Sequence, residues 1–462
     1  MKTYDLVVLG GGPGGFDAAV EAAAAGLKTA LVEAAELGGT CLNRGCIPTK
    51  LMLGATEAVD QLAAQARMRV ATGEIRVDFA ALQARKDKYL AATQRAMGVR
   101  LASLGVDLVP GRGRVTTAGS VEVETAEGPQ VLGYRQLLVA TGSRPLSLPG
   151  LDPDYISGNG RVLDSTGFLA LTEMPASLLV VGGGFIGLEM AQAAHRMGAK
   201  ITLVDALPRL AGAEDPEVSK ALESVFKRQG WDLRLGVKVA SVATRGAEAV
   251  LTLHSETAGS EEISAKAALV AVGRRPNSVD LGLEALGVSL TGPGFITTNE
   301  HLLAAPNVFA VGDVNGRMLL AHAASHQAHY VVERLLGKAT GPYESGPVPS
   351  ILYGAPEVFR AGLLAGEAKA RGEAVLVSRA QLVANPMAQA HAATQGFVKC
   401  VWREGRVVGI TAVGAGVSRL ACFATLIIQQ GWTRKDAEAF LFPHPTLDET
   451  LKAALLADKE AV

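Results

Sequence analysis

Cys41 and Cys46 are the residues of this chain best suited to chemistry. They lie five positions apart, in a chain of 462 residues that has four cysteines. Cross-link stabilisation grows with loop length, so a disulfide that closes so short a loop can open without unfolding the protein. The spacing also matches no common zinc pattern, which needs two close pairs or added histidines. We therefore predict a redox-active pair, with two reduced core thiols as the alternative.

The backbone between these two cysteines must depart from a regular helix. Five positions along a helix turn a side chain by ~500°, or ~140° net, whereas a disulfide needs Cα atoms within roughly 7 Å. Gly45 gives the intervening turn the freedom to deviate. A helix that begins near Cys46 would favour its thiolate form. The other two cysteines, Cys400 and Cys422, are predicted to be buried and inert.

A glycine-rich turn stands near the start of the chain. The apolar run Tyr4–Leu9 predicts a strand that leads into an alanine-rich helix. The turn between them carries a G-x-G-x-x-G pattern at Gly10, Gly12 and Gly15. Small residues let the backbone approach a pyrophosphate, and free N–H groups at the helix start bind it. Glu33, at the end of the next predicted strand, can accept hydrogen bonds from a ribose. We predict a dinucleotide site here.

The same arrangement recurs later in the chain. The predicted strand Ser177–Val181 leads into Gly182, Gly184 and Gly187, and a second acid, Asp205, follows. In both copies the acid lies 23 positions after the first glycine. Two such units imply two dinucleotide-binding domains.

The acid of the second copy bears on the choice of nicotinamide nucleotide. A carboxylate at Asp205 favours a free 2′-hydroxyl and repels a 2′-phosphate, which predicts NAD rather than NADP. Arg209 lies close by in the sequence and could argue for NADP. We interpret it instead as a surface or interface arginine.

A histidine near the C-terminal end could act as a base. His444 is followed, five positions on, by Glu449. Histidine titrates near neutrality, and a carboxylate can hold its ring in one tautomer. Such a pair is suited to deprotonating a thiol, help that is typically worth ~10²–10⁴-fold. Three more histidines share one predicted helix, and we interpret them as a helix face rather than metal ligands: His322, His326 and His329.

Composition and charge argue against several classes of function. The chain is 48% hydrophobic and 19% charged, which favours large cores over disorder. Its 44 basic and 45 acidic residues leave a net charge of −1, so no nucleic-acid or anionic-membrane partner is indicated. No apolar run approaches the ~20 residues of a membrane span. The few cysteines, and a first segment that resembles no signal peptide, predict a cytoplasmic protein.

The remaining patterns place these motifs in a larger architecture. Residues 47–104 have a largely helical pattern. Two apolar runs, Leu269–Gly273 and Val308–Gly312, are predicted to rejoin the first sheet. Proline and glycine in Ser147–Pro153 predict a crossover into the second domain. Beyond Pro347, three short strands before a helix predict a separate α+β domain.

Taken together, these motifs resemble the pyridine nucleotide–disulfide oxidoreductases over essentially the whole chain. The marks of that family are the opening glycine turn and six further runs: Gly38–Lys50, Ala140–Gly142, Val180–Glu189, Gly273–Asn277, Ala310–Asp313 and His444–Glu449. The resemblance implies an α/β fold with two Rossmann-like dinucleotide-binding domains, for FAD and NAD, and a C-terminal α+β dimerisation domain. The predicted bounds are 1–148 with 273–342 for FAD, 149–272 for NAD and 343–462 for the interface.

The same resemblance implies roles for individual positions. FAD would be held by Gly10, Gly12, Gly15 and Glu33, with Gly312 and Asp313 on its ribityl side. NAD would be held by Gly182, Gly184, Gly187 and Asp205. Six further positions are implied in cofactor binding: Gly39, Thr40, Lys50, Thr141, Gly142 and Gly273.

The resemblance also implies catalytic residues close to the flavin. Cys41 matches the thiol that exchanges with the substrate, and Cys46 matches the thiol that contacts the flavin. Lys50 and Glu189 match an ion pair near the flavin's reactive nitrogen.

The implied activity is oxidation of a dihydrolipoyl dithiol by NAD through FAD. His444 and Glu449 match a base and its orienting carboxylate, which reach the active site of the other subunit of a homodimer. The lipoyl group would arrive on a separate protein of a 2-oxoacid dehydrogenase or glycine-cleavage complex. The alternatives are a glutathione-reductase-like or mercuric-reductase-like enzyme, or a non-catalytic protein on this scaffold. Departures from the family pattern lie in the C-terminal domain, at Gly354, Phe359, Arg360, Met387, Ser418 and Arg419.

Overall fold

A computed structural model of the chain describes residues 1–148, 160–255 and 259–462, and the chain divides into two compact units. The first unit comprises Met1–Pro48, Gln83–Leu146 and Gly273–Ser345, and the second comprises Thr49–Leu82, Ser147–Val272 and Gly346–Val462. The predicted boundary at 148/149 and most of the predicted crossover Ser147–Pro153 lie outside the described residues. The three domain ranges given above stay a prediction.

A parallel sheet forms the centre of the first unit. Its strand Lys2–Leu9 pairs in parallel with Thr29–Glu33 on one side and with Gly128–Val139 on the other. Val308–Ala310 joins beside Gly128–Val139, also in parallel, which confirms that this run rejoins the first sheet.

Both faces of this sheet are buried. Along the central strand, Val7 and Leu9 pack into one hydrophobic cluster, whereas Leu6 and Val8 pack into another. Alternate side chains of a strand point to opposite faces of the sheet. Apolar residues at successive positions therefore indicate a strand that is covered on both sides, as parallel strands are.

A second parallel sheet lies in the second unit. The strand Ser177–Val181 pairs with Lys200–Asp205 and with Ala267–Val270. The second pairing shows that the expectation for Leu269–Gly273, a return to the first sheet, is wrong. That run is short and wholly apolar, so its pattern does not distinguish between two parallel sheets. It is the counterpart of Leu137–Val139, which lies beside the glycine-terminated strand of the first sheet.

The C-terminal part of the second unit is an antiparallel sheet. Helices Ala421–Gln429 and Asp448–Leu456 contribute buried residues to the same hydrophobic cluster as the sheet, which confirms the predicted α+β character. The sequence does not indicate the first two strands of this sheet, because Gly354 and Pro356 separate them into runs too short for a clear period. The strand order is Ser350–Leu352, Glu357–Gly362, Arg406–Gly414, Phe397–Arg403, Leu376–Gln381 and Glu460–Ala461.

Shorter elements complete the two units. The other strands of the described residues are Asp107–Pro110, Arg112–Thr117, Ser120–Thr125, Ser143–Pro145, Val162–Leu163, Asp232–Leu235, Lys238–Arg245, Glu248–Ser255, Gly259–Ala265, Arg274–Pro276 and Leu303–Ala305. The other helices are Pro13–Ala24, Gly39–Arg44, Cys46–Arg67, Phe79–Ser103, Ser165–Leu169, Phe185–Arg196, Pro216–Arg228, Ala321–Leu335, Ala365–Ala370, Pro386–Ala390 and Arg434–Ala439. Short 3₁₀ turns cover Leu283–Leu286, Gly312–Asn315, Leu382–Ala384 and Val417–Leu420. Within the described ranges, no helix combines the length and apolar character that crossing a membrane requires.

Candidate active site

The first glycine turn brings backbone atoms unusually close together. Strand Lys2–Leu9 ends just before Gly10, and helix Pro13–Ala24 begins after Gly12. A Cβ added to Gly15 would lie 1.9 Å from the carbonyl oxygen of Gly10, so only glycine fits there. A Cβ added to Gly12 would meet no atom within 4 Å. The helix N-terminus therefore has open space in front of it, where a phosphate can approach the free N–H groups.

Glu33 ends the next strand, and its carboxylate is tied to the glycine turn. Its Oε2 accepts a hydrogen bond from the N–H of Gly11 at 2.6 Å. Its Oε1 accepts one from the N–H of Ala35 at 2.7 Å. Each carboxylate oxygen has a second lone pair that can accept a further hydrogen bond, such as one from a ribose hydroxyl.

The second glycine turn repeats this geometry. Helix Phe185–Arg196 begins after Gly184, and a Cβ added to Gly184 would again meet no atom within 4 Å. A Cβ added to Gly187 would lie 2.0 Å from the carbonyl oxygen of Gly182. The two turns therefore share both the close approach and the open helix N-terminus.

The acid of the second copy is bound in the same way as Glu33. Asp205 Oδ2 accepts from the N–H of Gly183 at 2.7 Å, and Oδ1 accepts from the N–H of Leu207 at 2.8 Å. The Arg209 guanidinium donates to the carbonyl oxygens of Gly212 and of Glu214, the latter at 2.7 Å. Its interpretation as an arginine that takes no part in nucleotide binding stays a prediction.

The two candidate redox cysteines lie where the chain passes from one helix to another. Cys41 is on helix Gly39–Arg44, and Cys46 is the first residue of helix Cys46–Arg67. Gly45 between them has φ −152° and ψ −107°, far from helical values, which confirms the predicted break. Cys41 is half-buried and Cys46 is exposed. At a helix N-terminus, the peptide dipoles and free N–H groups favour the thiolate of Cys46.

The helix that carries Cys41 starts against the first glycine turn. A Cβ added to Gly39 would lie 2.9 Å from the Cα of Gly12. Asn43 fixes the start of this helix, because its side-chain amide donates to the carbonyl oxygens of Leu37 at 2.9 Å and of Gly39 at 3.0 Å. The Thr40 hydroxyl makes a long hydrogen bond, of 3.4 Å, to the backbone carbonyl of Ser143.

Asp313 belongs to a polar cluster that the sequence does not indicate. Its carboxylate accepts a hydrogen bond from the hydroxyl of Ser143. Arg274 Nε donates to that hydroxyl at 2.7 Å and lies 3.8 Å from Asp313. Ser143 gives no signal of its own in the sequence. Arg274 could have been predicted as a site residue, because it lies in Gly273–Asn277, one of the sequence motifs typical of the family.

Three further candidate cofactor-binding positions are anchored by Asn277 and Gln327. The Thr141 hydroxyl donates to the backbone carbonyl of Asn277 at 2.7 Å, and the Asn277 side-chain amide donates to the carbonyl of Thr141 at 2.9 Å. The backbone N–H of Asn277 donates to the carbonyl of Gly142 at 2.9 Å. The N–H of Gly312 donates to Gln327 Oε1 at 2.8 Å. Gln327 is buried and is a further residue that the sequence does not single out.

The structure brings Lys50 and Glu189 together within the second unit. The Lys50 Nζ lies 2.6 Å from Glu189 Oε2. The other oxygen, Oε1, accepts from the N–H of Tyr353 at 3.0 Å. Burial raises the pKa of the Glu189 carboxyl, and the Lys50 ammonium opposes that rise. This confirms that the two residues can form an ion pair, while a role beside the flavin stays a prediction.

His444 and Glu449 also meet. His444 Nδ1 donates to Glu449, at 3.0 Å from Oε1 and 3.1 Å from Oε2. This bond lowers the pKa of the Glu449 carboxyl, and the N–H of Thr446 contributes as a second donor. With Nδ1 as the donor, Nε2 is the nitrogen that can accept a proton.

The two other cysteines differ from each other. Cys400 is buried, and burial raises the pKa of its thiol to about 12, which agrees with an inert residue. Cys422 is exposed, so the prediction that it is buried is wrong. It lies on helix Ala421–Gln429 next to the buried stripe, whose members are Ala421, Ala424 and Ile427.

The three histidines on helix Ala321–Leu335 do not form a metal cluster. His329 Nδ1 lies 2.9 Å from Glu21 Oε2, and His326 Nδ1 lies 3.1 Å from the hydroxyl of Tyr343. Over the part of the chain that the structure describes, no group of three or more His, Cys, Asp or Glu side chains is arranged to hold a metal ion.

Comparison with known proteins gives a consistent result over the full length. Residues 4–328 match the family of pyridine nucleotide-disulphide oxidoreductases, and residues 348–455 match the dimerisation domain of that family. The dihydrolipoyl dehydrogenase of Chlorobaculum tepidum is 36% identical over 98% of this chain and 96% of its own. Dihydrolipoyl dehydrogenase 3 of Pseudomonas aeruginosa is 36% identical, with coverage of 99% and 98%. The crystal structure of LpdA from Mycobacterium tuberculosis matches with a TM-score of 0.88, at 26% identity and coverage of 98% and 99%.

The chain therefore belongs to the pyridine nucleotide–disulphide oxidoreductases. Its fold is α/β with a C-terminal dimerisation domain, as predicted.

Proposed function

We propose that this protein is a dihydrolipoamide dehydrogenase, which oxidises a dihydrolipoyl group and delivers two electrons to NAD⁺ through FAD. The observation that carries the proposal is the contact between the helix of Cys41 and the first glycine turn, where Gly39 would meet the Cα of Gly12 at 2.9 Å if it had a Cβ. A dithiol so close to a dinucleotide turn can exchange electrons with a ligand bound there. The full-length relatives named dihydrolipoyl dehydrogenase support the same assignment.

The two glycine turns fit the two cofactors, FAD and NAD. The close approaches at Gly15 and Gly187 pack each helix against the preceding strand end, and the open space at Gly12 and Gly184 leaves room for a pyrophosphate at the helix N-terminus. When bound, FAD supplies the two-electron chemistry that links a thiol pair to a nicotinamide. We assign Gly10, Gly12, Gly15, Glu33, Gly39, Thr40, Thr141, Gly142, Gly312 and Asp313 to FAD, and Gly182, Gly184, Gly187 and Asp205 to NAD. Gly273 is a further cofactor-binding position.

The substrate half-reaction uses sulfur atoms of this chain. His444 Nε2 takes a proton from one thiol of the dihydrolipoyl group, while Glu449 holds the ring. The resulting thiolate attacks Sγ of Cys41 in the oxidised Cys41–Cys46 pair, and Cys46 leaves as a thiolate. The second substrate thiol then attacks the first substrate sulfur. The lipoyl disulfide closes, and Cys41 leaves with the second proton.

The second half-reaction returns the pair to its oxidised form. Two electrons leave the reduced cysteines for NAD⁺, the Cys41–Cys46 disulfide re-forms, and NADH and a proton are released. An unperturbed thiol, with a pKa of ~8.5, would be only a few per cent thiolate at pH 7. The helix N-terminus at Cys46 raises that fraction. Lys50, paired with Glu189, would supply a positive charge to the bound flavin, the role that the resemblance to the family implies.

The proposal extends to assembly and location. The match to a dimerisation domain supports a homodimer, in which His444 and Glu449 act in the active site of the other subunit. The domain ranges are 1–148 with 273–342, 149–272 and 343–462. The lipoyl group arrives on a separate carrier protein of a 2-oxoacid dehydrogenase or glycine-cleavage complex, and the protein works in the cytoplasm.

Parallel steady-state assays test the activity. The purified protein is given dihydrolipoamide with NAD⁺, dihydrolipoamide with NADP⁺, and glutathione disulfide with NADPH. We expect turnover in the first assay, at least tenfold less in the second, and none in the third. Turnover of glutathione disulfide without turnover of dihydrolipoamide would overturn the assignment in favour of a related disulfide reductase.

A further inference from the structure

The segment Tyr353–Ala355 is held by two buried side chains of helix Phe185–Arg196. The N–H of Tyr353 donates to Glu189 Oε1 at 3.0 Å. Gln192 binds the same segment from both sides of Gly354, because its Nε2 donates to the carbonyl of Tyr353 at 3.3 Å and its Oε1 accepts from the N–H of Ala355 at 2.7 Å. Residues three apart on a helix lie on the same face. Glu189 and Gln192 therefore form one polar surface that fits this backbone.

Gly354 belongs to the same fit and explains a departure from the family pattern. Its φ is +132°, a value that other residues rarely adopt. A Cβ there would lie 2.3 to 2.5 Å from the amide of Gln192. Glycine at this position therefore allows the backbone to lie directly against the Gln192 amide.

The held segment places an aromatic ring against the cation of the ion pair. The Lys50 Nζ lies 4.8 Å from the centroid of the Tyr353 ring. The same ammonium lies 2.6 Å from Glu189 Oε2. A cation near the face of an aromatic ring, within ≈ 6 Å, is attracted to it. Lys50 thus contacts both the Glu189 carboxylate and the Tyr353 ring. The backbone N–H of Tyr353 is itself hydrogen-bonded to Glu189.

We propose that Tyr353, held in place by Gln192, is a positioning residue that fixes the Lys50 ammonium against Glu189. The placement of that charge close to the flavin rests on the proposed function; the positioning itself does not. Tyr353 acts through Lys50 and takes no part in the exchange of thiols. Its ring restricts the flexible lysine side chain to one location, so the positive charge is fixed before any ligand binds.

The test compares Tyr353→Leu with Tyr353→Phe in the purified protein. Leucine removes the ring face and keeps the backbone bond to Glu189, whereas phenylalanine keeps both. Lys459→Met is the matched control, because it removes a different cation–π contact, in which the Lys459 Nζ lies 3.7 Å from the Trp402 ring. The first readout is the rate of acetylation of Lys50 by acetic anhydride, measured by mass spectrometry against the other lysines of the same sample. The second is the reduction potential of the bound flavin.

We expect acetylation of Lys50, relative to the other lysines, to rise about three- to thirtyfold in Tyr353→Leu, the range that a cation–π contact supplies. Tyr353→Phe and Lys459→Met should match the wild type. The flavin potential should fall only in Tyr353→Leu, because a mobile cation stabilises the reduced ring less well. Equal acetylation of Lys50 in Tyr353→Leu and the wild type would overturn the proposal, as would a rise common to all lysines, which would show a merely structural role.

Gln192→Met tests the same idea if Tyr353→Leu does not fold. It keeps the side-chain volume and removes both hydrogen bonds to the segment, so Lys50 acetylation should rise while Tyr353 is still present. An unchanged rate in this variant would contradict the role of Gln192. Neither readout needs the dithiol substrate. If dihydrolipoamide is not oxidised but Lys50 responds as expected, the proposed function fails and the positioning role stands.

Discussion

The two glycine turns share their backbone geometry and differ in the segments that come after them. In each copy the third glycine packs on the carbonyl of the first, where an added Cβ would lie only 1.9 or 2.0 Å from the carbonyl oxygen. In each, a strand-end carboxylate accepts hydrogen bonds from the N–H of the residue after the first glycine, Gly11 or Gly183, and from the N–H of the residue two positions after the acid itself. The geometry proposed to bind a dinucleotide is therefore repeated almost without change, and it does not distinguish the two copies.

The difference begins after the acid. In the first copy the N–H of Gly38 donates to the carbonyl of Gly11 at 2.8 Å, and in the second the N–H of Ala211 donates to that of Gly183 at 2.8 Å. Gly38 comes five residues after its acid and Ala211 six, so the second segment is one residue longer. Both residues have positive φ, +91° and +46°. The two segments therefore match up to this hydrogen bond, and the chain that follows differs between the copies.

The segments that follow Gly38 and Ala211 lead to different structures. The first leads into the short helix of Cys41. The second leads to Glu214 and Asp215, which bind basic residues of the C-terminal sheet. Asp215 Oδ2 accepts from Lys399 at 2.8 Å, and Glu214 Oε2 lies 3.2 Å from Arg360 Nε. The corresponding segments thus carry the proposed redox cysteine in one copy and, in the other, acids that bind the C-terminal sheet within the second unit.

The strongest test of this division is to remove the sulfur from the first segment only. Cys46→Ser should abolish dithiol turnover and keep FAD, because serine cannot form the disulfide. Ala213→Ser, in the corresponding segment of the second copy, should retain at least half of the activity. Turnover and flavin content are measured on the same preparations. Full activity with dihydrolipoamide in Cys46→Ser would remove the redox pair from the account.

Alanine at the third glycine of each turn should separate the two cofactors. A Cβ at Gly15 or Gly187 would clash with a backbone carbonyl, so the turn must open. Gly15→Ala should be purified largely without FAD. Gly187→Ala should keep FAD and raise the KM for NAD⁺ by at least about a hundredfold, since several hydrogen bonds to a charged group are lost. Loss of the same cofactor in both variants would contradict the assignment of the two turns to two different cofactors.

His444→Ala tests a residue that lies outside both glycine turns. Loss of the base should reduce kcat by at least about a hundredfold with flavin content intact. The hydrogen bond from His444 lowers the pKa of the Glu449 carboxyl below its ordinary value of 4.5. Glu449 is therefore ionised, and can orient the His444 ring, at every pH above that ordinary value. It loses this role only as the pH falls through the lowered pKa. A turnover number equal to that of the wild type would exclude His444 as the base.

Asp205→Asn should sharpen the nucleotide preference of the second copy. An amide cannot accept from both N–H groups of the turn and also bind a ribose as a carboxylate does. We expect KM for NAD⁺ to rise about tenfold and the preference over NADP⁺ to narrow. Arg209→Ala should leave the KM for NADP⁺ unchanged, because the Arg209 guanidinium is hydrogen-bonded to the carbonyl of Glu214. A marked loss of NADP⁺ binding in Arg209→Ala would contradict this.

The helices of the two turns also differ, and Glu189 gives the smallest predicted effect. Burial raises the pKa of Glu189, so its folded form holds a proton more tightly than its unfolded form. Its favourable contribution is complete below the unfolded pKa of 4.5 and is lost as the pH rises through the folded value. Lys50→Met removes the opposing cation, raises the pKa further, and should lower the free energy of unfolding by roughly 1–3 kcal/mol at pH 7.

The loss in Lys50→Met should be smaller at about pH 4.5, where Glu189 can be protonated. Urea unfolding at the two pH values measures it. Lys227→Met is a suitable control, because the Lys227 side chain is 62% exposed. An equal loss at both pH values would show that Glu189 and Lys50 are not coupled.

Much of this arrangement is written in local sequence. The strand Ser177–Val181 and the break at Gly45 follow from apolar runs, glycines and spacing, and the structure confirms both. The pairing of His444 with Glu449 could also be expected, because the two residues are close in the chain. In these cases the physical cause and the observed pattern lie within a few residues of each other.

Other features could not be predicted, because their cause is distant in the chain. Leu269 joins the second sheet rather than the first. A short apolar run does not indicate with which strand it will pair. Cys422 is exposed because of the helix face on which it falls, which depends on where the helix begins. The contact of Gln192 with Gly354 and the link from Arg274 to Asp313 join residues that no local pattern relates.

Anaerobic two-electron reduction, followed by absorption spectroscopy, tests the central claim most directly. The oxidised protein should be yellow and should turn red on reduction, because a Cys46 thiolate beside the flavin gives a long-wavelength charge-transfer band. The band should be absent in Cys46→Ser and present in Cys41→Ser. A flavin that bleaches without a red stage, or a band that persists in Cys46→Ser, would contradict the pairing of this dithiol with FAD.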